Sequence, residues 1–189
     1  MRRFLIFFFL SLAVCGLGLF TYFRSQSWES LIINTSDEVF VSSKISWLHR
    51  EYIRIFHPIS SATTNDRGQW PLVFAINGCT GKFKQGEYCL ELIQEIINTG
   101  GDVNAPSNDH LGLAPLHLAV LYKDLELAKF LLQVKADPNV QARGKRYKGM
   151  TPLRLGQELI AKLKPEELVK QKLVESIIRA NGGNDVSAP

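Results

Sequence analysis

Apolar residues recur at helical spacing along most of the chain after its first two dozen residues. Between Val39 and Phe56 they follow a period close to 3.6 and stop before Pro58, which predicts one or two amphipathic helices. Residues 60–69 are rich in Ser, Thr, Asn, Asp and Gly, as loops are. From Pro71 onward, short apolar segments alternate with turns that contain Gly, Asn and Asp. This pattern predicts an all-α fold.

The N-terminus has a different pattern, since residues 4–23 contain no charged residue. Twenty helical residues rise about 1.5 Å each and cover roughly the 30 Å of a bilayer core. Arg2 and Arg3 precede this segment and outweigh the single Arg24 that follows it, so the positive-inside bias keeps the N-terminus in the cytoplasm. We therefore expect a single-pass signal anchor in the inner membrane, with the C-terminal domain in the periplasm.

Two other modes of export compete with the anchor. Residues 4–14 also fit the apolar region of a cleaved signal peptide, with Gly16-Leu17-Gly18 as a small-x-small cleavage site. Leu12-Ala13-Val14-Cys15 resembles a lipobox, although Val14 is bulky where that motif has a small residue. All three alternatives place the rest of the chain outside the cytoplasm.

Two cysteines, Cys79 and Cys89, lie on the exported side of the apolar segment. An even pair in an oxidising compartment predicts a disulfide, which in the chain-entropy model stabilises a loop of this size by roughly 3 kcal/mol. The alternative is two unpaired cysteines that pack as small hydrophobic residues. A zinc site is not expected, because no second cysteine pair or histidine cluster completes four ligands.

A sequence block built on Pro-Leu occurs three times in the chain. Each copy follows a glycine by two residues, and an apolar segment then leads to a turn rich in Gly, Asn and Asp. The copies start at Trp70, Ala114 and Thr151, the glycines are Gly68, Gly112 and Gly149, and the turns are residues 99–104, 134–139 and 181–185. Such recurrence at a spacing of a few tens of residues indicates a repeat architecture.

The copies resemble the ankyrin repeat over roughly residues 66–185, most closely at Leu113-Ala114-Pro115-Leu116-His117-Leu118-Ala119 and at residues 135–140. The resemblance implies a short helical solenoid of about three repeats. Taken with the apolar N-terminal segment, it divides the chain into an anchor at residues 1–24, a stalk with N-terminal capping helices at 25–65 and the repeat domain at 66–189. It also implies that His117 is a structural residue.

General physics accounts for these recurring residues. Proline suits the first turn of a helix, where its missing N–H costs nothing, and Gly100 or Gly101 can take the left-handed conformation that ends a helix. One repeat cannot bury both of its faces, so neighbouring repeats must stack. We expect the middle repeat to bury Leu116, Leu118, Ala119, Leu127, Ala128, Leu131 and Leu132.

The spacing of the copies departs from a plain repeat. Pro71 and Pro115 are 44 positions apart and Pro115 and Pro152 are 37 apart, against about 33 for an ordinary ankyrin repeat. The first excess falls at residues 77–87, between two helices, and the second at residues 141–148, after the middle repeat. The cysteine pair would close the first of these enlarged loops.

A catalytic site is not predicted. The four histidines, His49, His57, His110 and His117, form no metalloprotease motif, residues 78–83 lack the spacing of a phosphate-binding loop, and no Gly-x-Ser-x-Gly occurs. We therefore expect no catalytic residue, metal or cofactor. The net charge of +4 and the pI near 9.0 fall short of a nucleic-acid-binding domain.

The resemblance implies that partners bind at the connecting loops between repeats, called fingers, and at the concave face of the first helices. One finger carries Arg143, Lys145, Arg146, Tyr147 and Lys148, and the preceding finger carries Asn108, Asp109 and His110. The basic finger is either a solvated loop or a binding surface, and both acidic proteins and phospholipid headgroups would be attracted to it.

Two classes of function follow. The first is a membrane-anchored protein-interaction module that faces the periplasm; one version of it, by family analogy, is an immunity-type inhibitor of an envelope-directed toxin. The second is an envelope stress or redox-support protein whose Cys79/Cys89 pair cycles between oxidised and reduced forms. An enzyme with its site in residues 25–65 is a third possibility.

Overall fold

The computed structural model describes residues 16–22, 24, 64, 67–80, 88–161 and 163–185. The part of the chain from residue 67 onward forms six helices, and the described residues contain no strand. The helices are α1 (Pro71–Thr80), α2 (Tyr88–Asn98), α3 (Pro115–Tyr122), α4 (Leu125–Gln133), α5 (Pro152–Ile160) and α6 (Pro165–Ala180). The predicted all-α fold is therefore confirmed for these segments.

The N-terminal predictions fall mostly outside the described residues. Within the apolar segment, residues 16–22 are helical and exposed, whereas residues 4–15 and 23 are not described. The predicted capping helices at 25–65 also lie outside, except for Thr64. No helix of the described residues is both long enough and apolar enough to cross a bilayer.

The helices begin where the sequence pattern places them. Pro71, Pro115 and Pro152 are the first residues of α1, α3 and α5, because a proline there gives up only an N–H that has no partner within the helix. Thr151 caps α5, its hydroxyl accepting the N–H of Arg154 at 3.3 Å. Asp124 caps α4 in the same way through the N–H of Leu127, at 3.0 Å.

The helices form three pairs of consecutive helices, and the pairs stack on one another. We call α1, α3 and α5 the inner helices and α2, α4 and α6 the outer helices. Helix α3 packs against α1 on one side and α5 on the other, while α4 packs against α6. The central position of α3 explains why all of its residues from Pro115 to Val120 are buried.

The core of the middle repeat agrees with the sequence prediction at six of seven positions. The six are fully or almost fully buried: Leu116, Leu118, Ala119, Leu127, Ala128 and Leu131. Leu132 is only half-buried, because it lies on the side of α4 that borders an open groove against α6. The obligatory stacking of repeats is thus visible as one continuous core from Leu72 to Ile178.

The three outer helices end in the same hydrogen-bond arrangement. After α2, the N–H of Gly100 bonds to the carbonyl of Ile97 and the N–H of Gly101 to that of Ile96, at 3.0 and 2.9 Å. This is a Schellman motif, with Gly100 in the left-handed conformation at φ 101°. Gly182 takes that position after α6, at φ 87°, and Lys135 takes it after α4, at φ 69°. After α2, Gly100 therefore takes the predicted left-handed conformation, and Gly101 does not.

Asparagine side chains join the turns that follow these motifs. The Asn104 Oδ1 accepts the N–H of Asp137 from the next repeat at 2.7 Å. In turn, Asn139 accepts the N–H of Asn184 through Oδ1 at 2.8 Å and donates through Nδ2 to the carbonyl of Gly182 at 3.0 Å. The recurring Asp-x-Asn turns therefore form a ladder along the stack.

Candidate interaction surface on the stacked fingers

The connections between repeats form two fingers that stack side by side. The first finger comprises residues 105–113, and the second finger comprises residues 141–150. The N–H of Asn108 bonds to the carbonyl of Gly68 at 2.7 Å, and the N–H of Arg143 bonds to the carbonyl of Gly112 at 2.9 Å. Each finger is thereby held by backbone hydrogen bonds to the turn that precedes the inner helix of the previous repeat.

The recurring glycines allow this close approach. Gly68, Gly112 and Gly149 all have positive φ, at 76°, 59° and 78°, which disfavours any residue with a Cβ. A Cβ on Gly68 would lie 2.7 Å from the backbone carbon of Asn108, and one on Gly112 would collide with the backbone of Gly144. A Cβ on Gly149 would meet no described atom within 4 Å, since no described finger follows the third repeat.

The second finger has a fixed shape of its own. Ala142 and Met150 are joined by a bond from the Ala142 N–H to the Met150 carbonyl at 3.0 Å, and the N–H of Gly149 bonds to the Ala142 carbonyl at 2.9 Å. At its tip, the N–H of Tyr147 bonds to the carbonyl of Gly144 at 3.1 Å. The buried Ala142 and Gly144 fasten the base of the finger to the rest of the fold.

His117 fixes the end of the second finger to α3. Its Nδ1 accepts the N–H of Ala114 at 3.3 Å, and its Nε2 lies 2.9 Å from the carbonyl of Met150. Because Nδ1 accepts, Nε2 carries the hydrogen and donates to Met150. Burial lowers the pKa of His117 to about 4. The side chain is fully enclosed, in agreement with the structural role that the resemblance implies.

The cations of the second finger point into solvent. Arg143, Lys145, Arg146 and Lys148 are all exposed. Tyr147 is half-buried and packs against the core, while the Arg146 guanidinium carbon lies 5.2 Å from the centroid of the Tyr147 ring. Such a cation–π contact, worth about 0.5–1 kcal/mol at an exposed site, restrains the arginine.

None of these four cations forms an ion pair with a described residue, whereas four cations on the helices or at their ends do. Lys129 pairs with Glu126 at 2.8 Å, Arg154 with Glu158 at 3.4 Å and Arg179 with Asp185 at 2.9 Å. Lys123 pairs with Glu167 between repeats at 3.2 Å. Positive charge is therefore paired at these four positions and is unpaired, among the described residues, at all four cations of the second finger.

The three predicted contact residues of the first finger are in different environments. Asn108 and His110 are exposed, and Asp109 is half-buried. The Asp109 Oδ1 accepts the N–H groups of Leu111 and Gly112 at 2.9 and 2.8 Å. Its carboxylate shapes the finger and forms no ion pair with a described residue. A direct role of these three residues in partner binding stays a prediction.

The enlarged loop predicted at residues 77–87 is described only at its edges, since α1 ends at Thr80 and α2 begins at Tyr88. Cys89 lies in the first turn of α2, is half-buried and is disulfide-bonded. The Cys79 side chain lies outside the described residues, so the Cys79–Cys89 pairing stays a prediction.

One open groove lies away from the fingers. This groove of about 330 Å³ lies between the C-terminal halves of α4 and α6, lined by Lys129, Leu132, Gln133, Lys135, Ile177 and Asn181. One of its two lysines, Lys129, is already paired with Glu126. No group of three or more His, Cys, Asp or Glu side chains among the described residues is arranged to hold a metal ion.

Sequence reasoning missed two features of the fingers. Gly144 is buried because the backbone of Leu111 and Gly112 lies against it. A glycine between Arg143 and Lys145 was the feature of the sequence that could have indicated this close contact. Tyr147 was predicted as a contact residue, but its ring also packs on the core and holds Arg146. Nothing in the local sequence distinguishes such a half-buried tyrosine from an exposed one.

Comparison with known proteins bears on the same region. A sequence search of curated proteins found no match. The family model of the ankyrin repeat matches residues 111–143, which run from the end of the first finger through α3 and α4 into the second finger. Ankyrin repeats are typically non-enzymatic modules of protein–protein interaction. Residues 111–143 are thus similar to an ankyrin repeat, and the stacked helix pairs on either side continue the same helical arrangement.

Proposed function

We propose that this protein is a membrane-anchored interaction module that faces the periplasm and binds another protein through its two stacked fingers. The observation that carries the proposal is the second finger, where four exposed and unpaired cations lie on a loop of fixed shape. A surface whose backbone is already ordered loses less conformational entropy when a partner binds. Residues 4–23 supply the anchor in this proposal, and the bias of Arg2 and Arg3 supplies the orientation.

One version of this function is immunity. Small exported ankyrin proteins resemble antagonists of envelope-directed toxins, such as phospholipase effectors, and an inhibitor of this kind acts by covering a surface of its target. The version is supported by family analogy alone. Cells that lack the gene should then be killed by toxin-delivering sibling cells; full resistance of the deletion strain would contradict the immunity role and leave the interaction module standing.

Site-specific crosslinking in intact cells tests the finger surface. A photoreactive amino acid is placed at His110 on the first finger or at Lys172 on α6, both exposed, in the full-length chain. We expect crosslinks to a defined protein from position 110 and not from position 172. Equal capture from both positions, or none from position 110, would count against the fingers as the binding surface.

The orientation is tested separately. Alkaline phosphatase, which is active only after export to an oxidising compartment, is fused after Pro189. We expect an active fusion that stays with the inner membrane after carbonate washing. An inactive fusion would rule out the periplasmic location, and release of an active fusion into the soluble fraction would favour a cleaved signal peptide.

The redox-support alternative is addressed by one observation, the disulfide-bonded state of Cys89. A structural disulfide stays oxidised and unreactive in cells, whereas a redox-active one turns over. Thiol trapping before and after exposure to peroxide separates the two. We expect no change in the trapped fraction, and a pair that is reduced and reoxidised would favour the alternative.

A further inference from the structure

The second finger concentrates more unpaired positive charge than any other described segment of comparable length. Arg143, Lys145, Arg146 and Lys148 lie within six positions, and all four side chains are exposed. Elsewhere in the described chain, Lys123, Lys129, Arg154 and Arg179 each have a carboxylate partner. The only acid of the first finger, Asp109, is engaged with two backbone N–H groups. The charge of the second finger is therefore available to a ligand.

The geometry of this finger suits discrete recognition. Its backbone is closed by the bonds between Ala142 and both Gly149 and Met150, and it is tied to the first finger through Arg143. Arg146 is held over the ring of Tyr147, which itself packs on the core. A guanidinium restrained in this way can offer two parallel N–H groups to a carboxylate.

The surroundings of the finger favour a protein ligand over a nucleic acid. A nucleic-acid backbone is tracked by a stripe or groove of cations that covers several phosphates. Here the unpaired charge ends at one finger, since Arg154 on the adjoining inner helix is paired with Glu158 and the first finger exposes Asn108 and His110.

The surroundings also favour a protein ligand over a membrane surface. Segments that lie on membranes combine cations with exposed apolar side chains that insert between the lipids. The exposed residues of the second finger are Gln141, Arg143, Lys145, Arg146 and Lys148, none of which is apolar, and its aromatic residue is directed to the core. The finger therefore lacks the apolar component of a lipid-binding segment.

We propose that the second finger recognises a carboxylate-rich segment of a partner protein, with Arg143 and Arg146 binding carboxylates and Lys145 and Lys148 adding attraction at the edge. This inference rests on the proposed function, because it names the chemistry of the partner at the same surface. Attraction between opposite charges at such a surface accelerates association and weakens as salt is added.

Fluorescence anisotropy with synthetic peptides tests this chemistry on the purified full-length chain in neutral detergent. One labelled peptide contains alternating Glu and Gly; a second, of equal length, contains Gln in place of Glu. Vesicles of equimolar phosphatidylcholine and phosphatidylglycerol serve as a competing anionic surface. The variant Lys145→Glu/Lys148→Glu is compared with Lys170→Glu/Lys172→Glu, which reverses two exposed lysines on α6 and gives the same net charge.

We expect the Glu peptide to bind with an affinity that falls as salt is added, and the Gln peptide to bind at least about tenfold more weakly. Reversal on the second finger should weaken the Glu peptide about tenfold or more, and reversal on α6 should leave it within about twofold. Equal binding of both peptides, equal loss in both variants, binding to vesicles in place of the peptide, or no binding at all would each overturn the inference.

A negative result with the peptides can be distinguished from a failure of the proposed interaction module. Crosslinking at His110 does not depend on the charge of the second finger, so a partner captured there with no preference for the Glu peptide would retain the interaction module and reject the carboxylate-rich segment. Absence of any crosslink at His110 would reject the finger surface itself.

Discussion

A single imidazole ring holds together two parts of the fold that are far apart in sequence. His117 accepts the Ala114 N–H at the start of α3 and donates to the Met150 carbonyl at the end of the second finger. The two bonds form together only on the neutral ring with its hydrogen on Nε2. A protonated Nδ1 cannot accept, so protonation breaks the bond to Ala114, while Nε2 can still donate to Met150. Burial is what lowers the pKa of His117 to about 4, and the bond to Met150 acts in the opposite direction.

This environment predicts that the protein loses stability in mild acid. The folded state holds His117 with a pKa of about 4, below the ordinary value of about 6.5. Neutral His117 therefore makes its full contribution to the free energy of unfolding above about pH 6.5, and this contribution is lost as the pH falls toward about 4. The free energy of unfolding should be lower by about 2 kcal/mol at pH 5 and by about 3 kcal/mol once the loss is complete. Urea unfolding of the full-length chain in neutral detergent, at about pH 7 and about pH 5, measures the difference.

The variant His117→Gln supplies the control, since it removes the titrating ring while keeping a side chain that can donate a hydrogen bond. It should be less stable than the wild type at neutral pH and should lose less stability between the two pH values. If the wild type and the variant show the same dependence on pH, another group is responsible for it.

At the scale of the helices and their connections, backbone conformation determines how closely two repeats can approach. Gly112 combines a positive φ with a Cβ position already occupied by the backbone of Gly144, while Gly149 has the positive φ alone. The two glycines occupy equivalent places in successive repeats. Replacing each with alanine therefore separates the loss of stability caused by a strained backbone from the loss caused by a backbone clash.

We predict that Gly149→Ala costs about 1 kcal/mol, the strain of a left-handed alanine, and that Gly112→Ala costs at least about 3 kcal/mol, because the fingers must also move apart. Chemical unfolding of both variants measures this, and hydrogen exchange should show loss of protection at Arg143, whose N–H bonds to Gly112. Equal losses in the two variants would show that finger stacking adds no stability.

The sequence predicted the helices more accurately than it predicted the fingers. Pro115 and Pro152 locate the starts of α3 and α5 because proline has a strong local preference, and the buried leucines follow from helical spacing. The conformation of Lys135 could not be predicted from local preference, since this lysine is left-handed at φ 69°, where glycine is favoured. Its conformation belongs to the helix-end motif in which the N–H groups of Lys135 and Ala136 bond back to carbonyls of α4, and this motif outweighs the residue's own preference.

The position of the finger cations along the chain was predictable, but their arrangement in the fold was not. Four cations in six positions are visible in the sequence, but whether they pair with acids depends on residues that come near only after folding. Asp109 illustrates the difference: it is the one acid of the neighbouring finger, yet its Oδ1 accepts two backbone N–H groups and its carboxylate forms no ion pair with a described residue. Only the three-dimensional arrangement shows that the finger cations have no acidic partner in the described part of the chain.

For the whole molecule, a short stack depends on every contact between neighbouring repeats. The third repeat joins the second through the core formed with α5 and α6, the Lys123–Glu167 ion pair and the bonds of Asn139. Hydrogen bonding to the Lys164 N–H, followed by bonding to Lys123, lowers the pKa of Glu167, but this exposed pair is weakened by solvent. Asn139 therefore provides the clearest polar test of coupling between the two repeats.

We predict that Asn139→Ala destabilises the third repeat by about 1 kcal/mol, because its side chain accepts the Asn184 N–H and donates to the Gly182 carbonyl. Asn139→Asp keeps the acceptor and loses the donor, so its effect should be intermediate. Repeat proteins couple mainly between neighbours, so the loss should appear in hydrogen exchange as faster exchange in α5 and α6 than in α1 and α2. Asn108→Ala, at an exposed position whose side chain makes no hydrogen bond to a described residue, is the matched control. Faster exchange spread evenly over all six helices would mean that the array unfolds as a single unit and that the asparagine ladder does not set the stability of its last repeat.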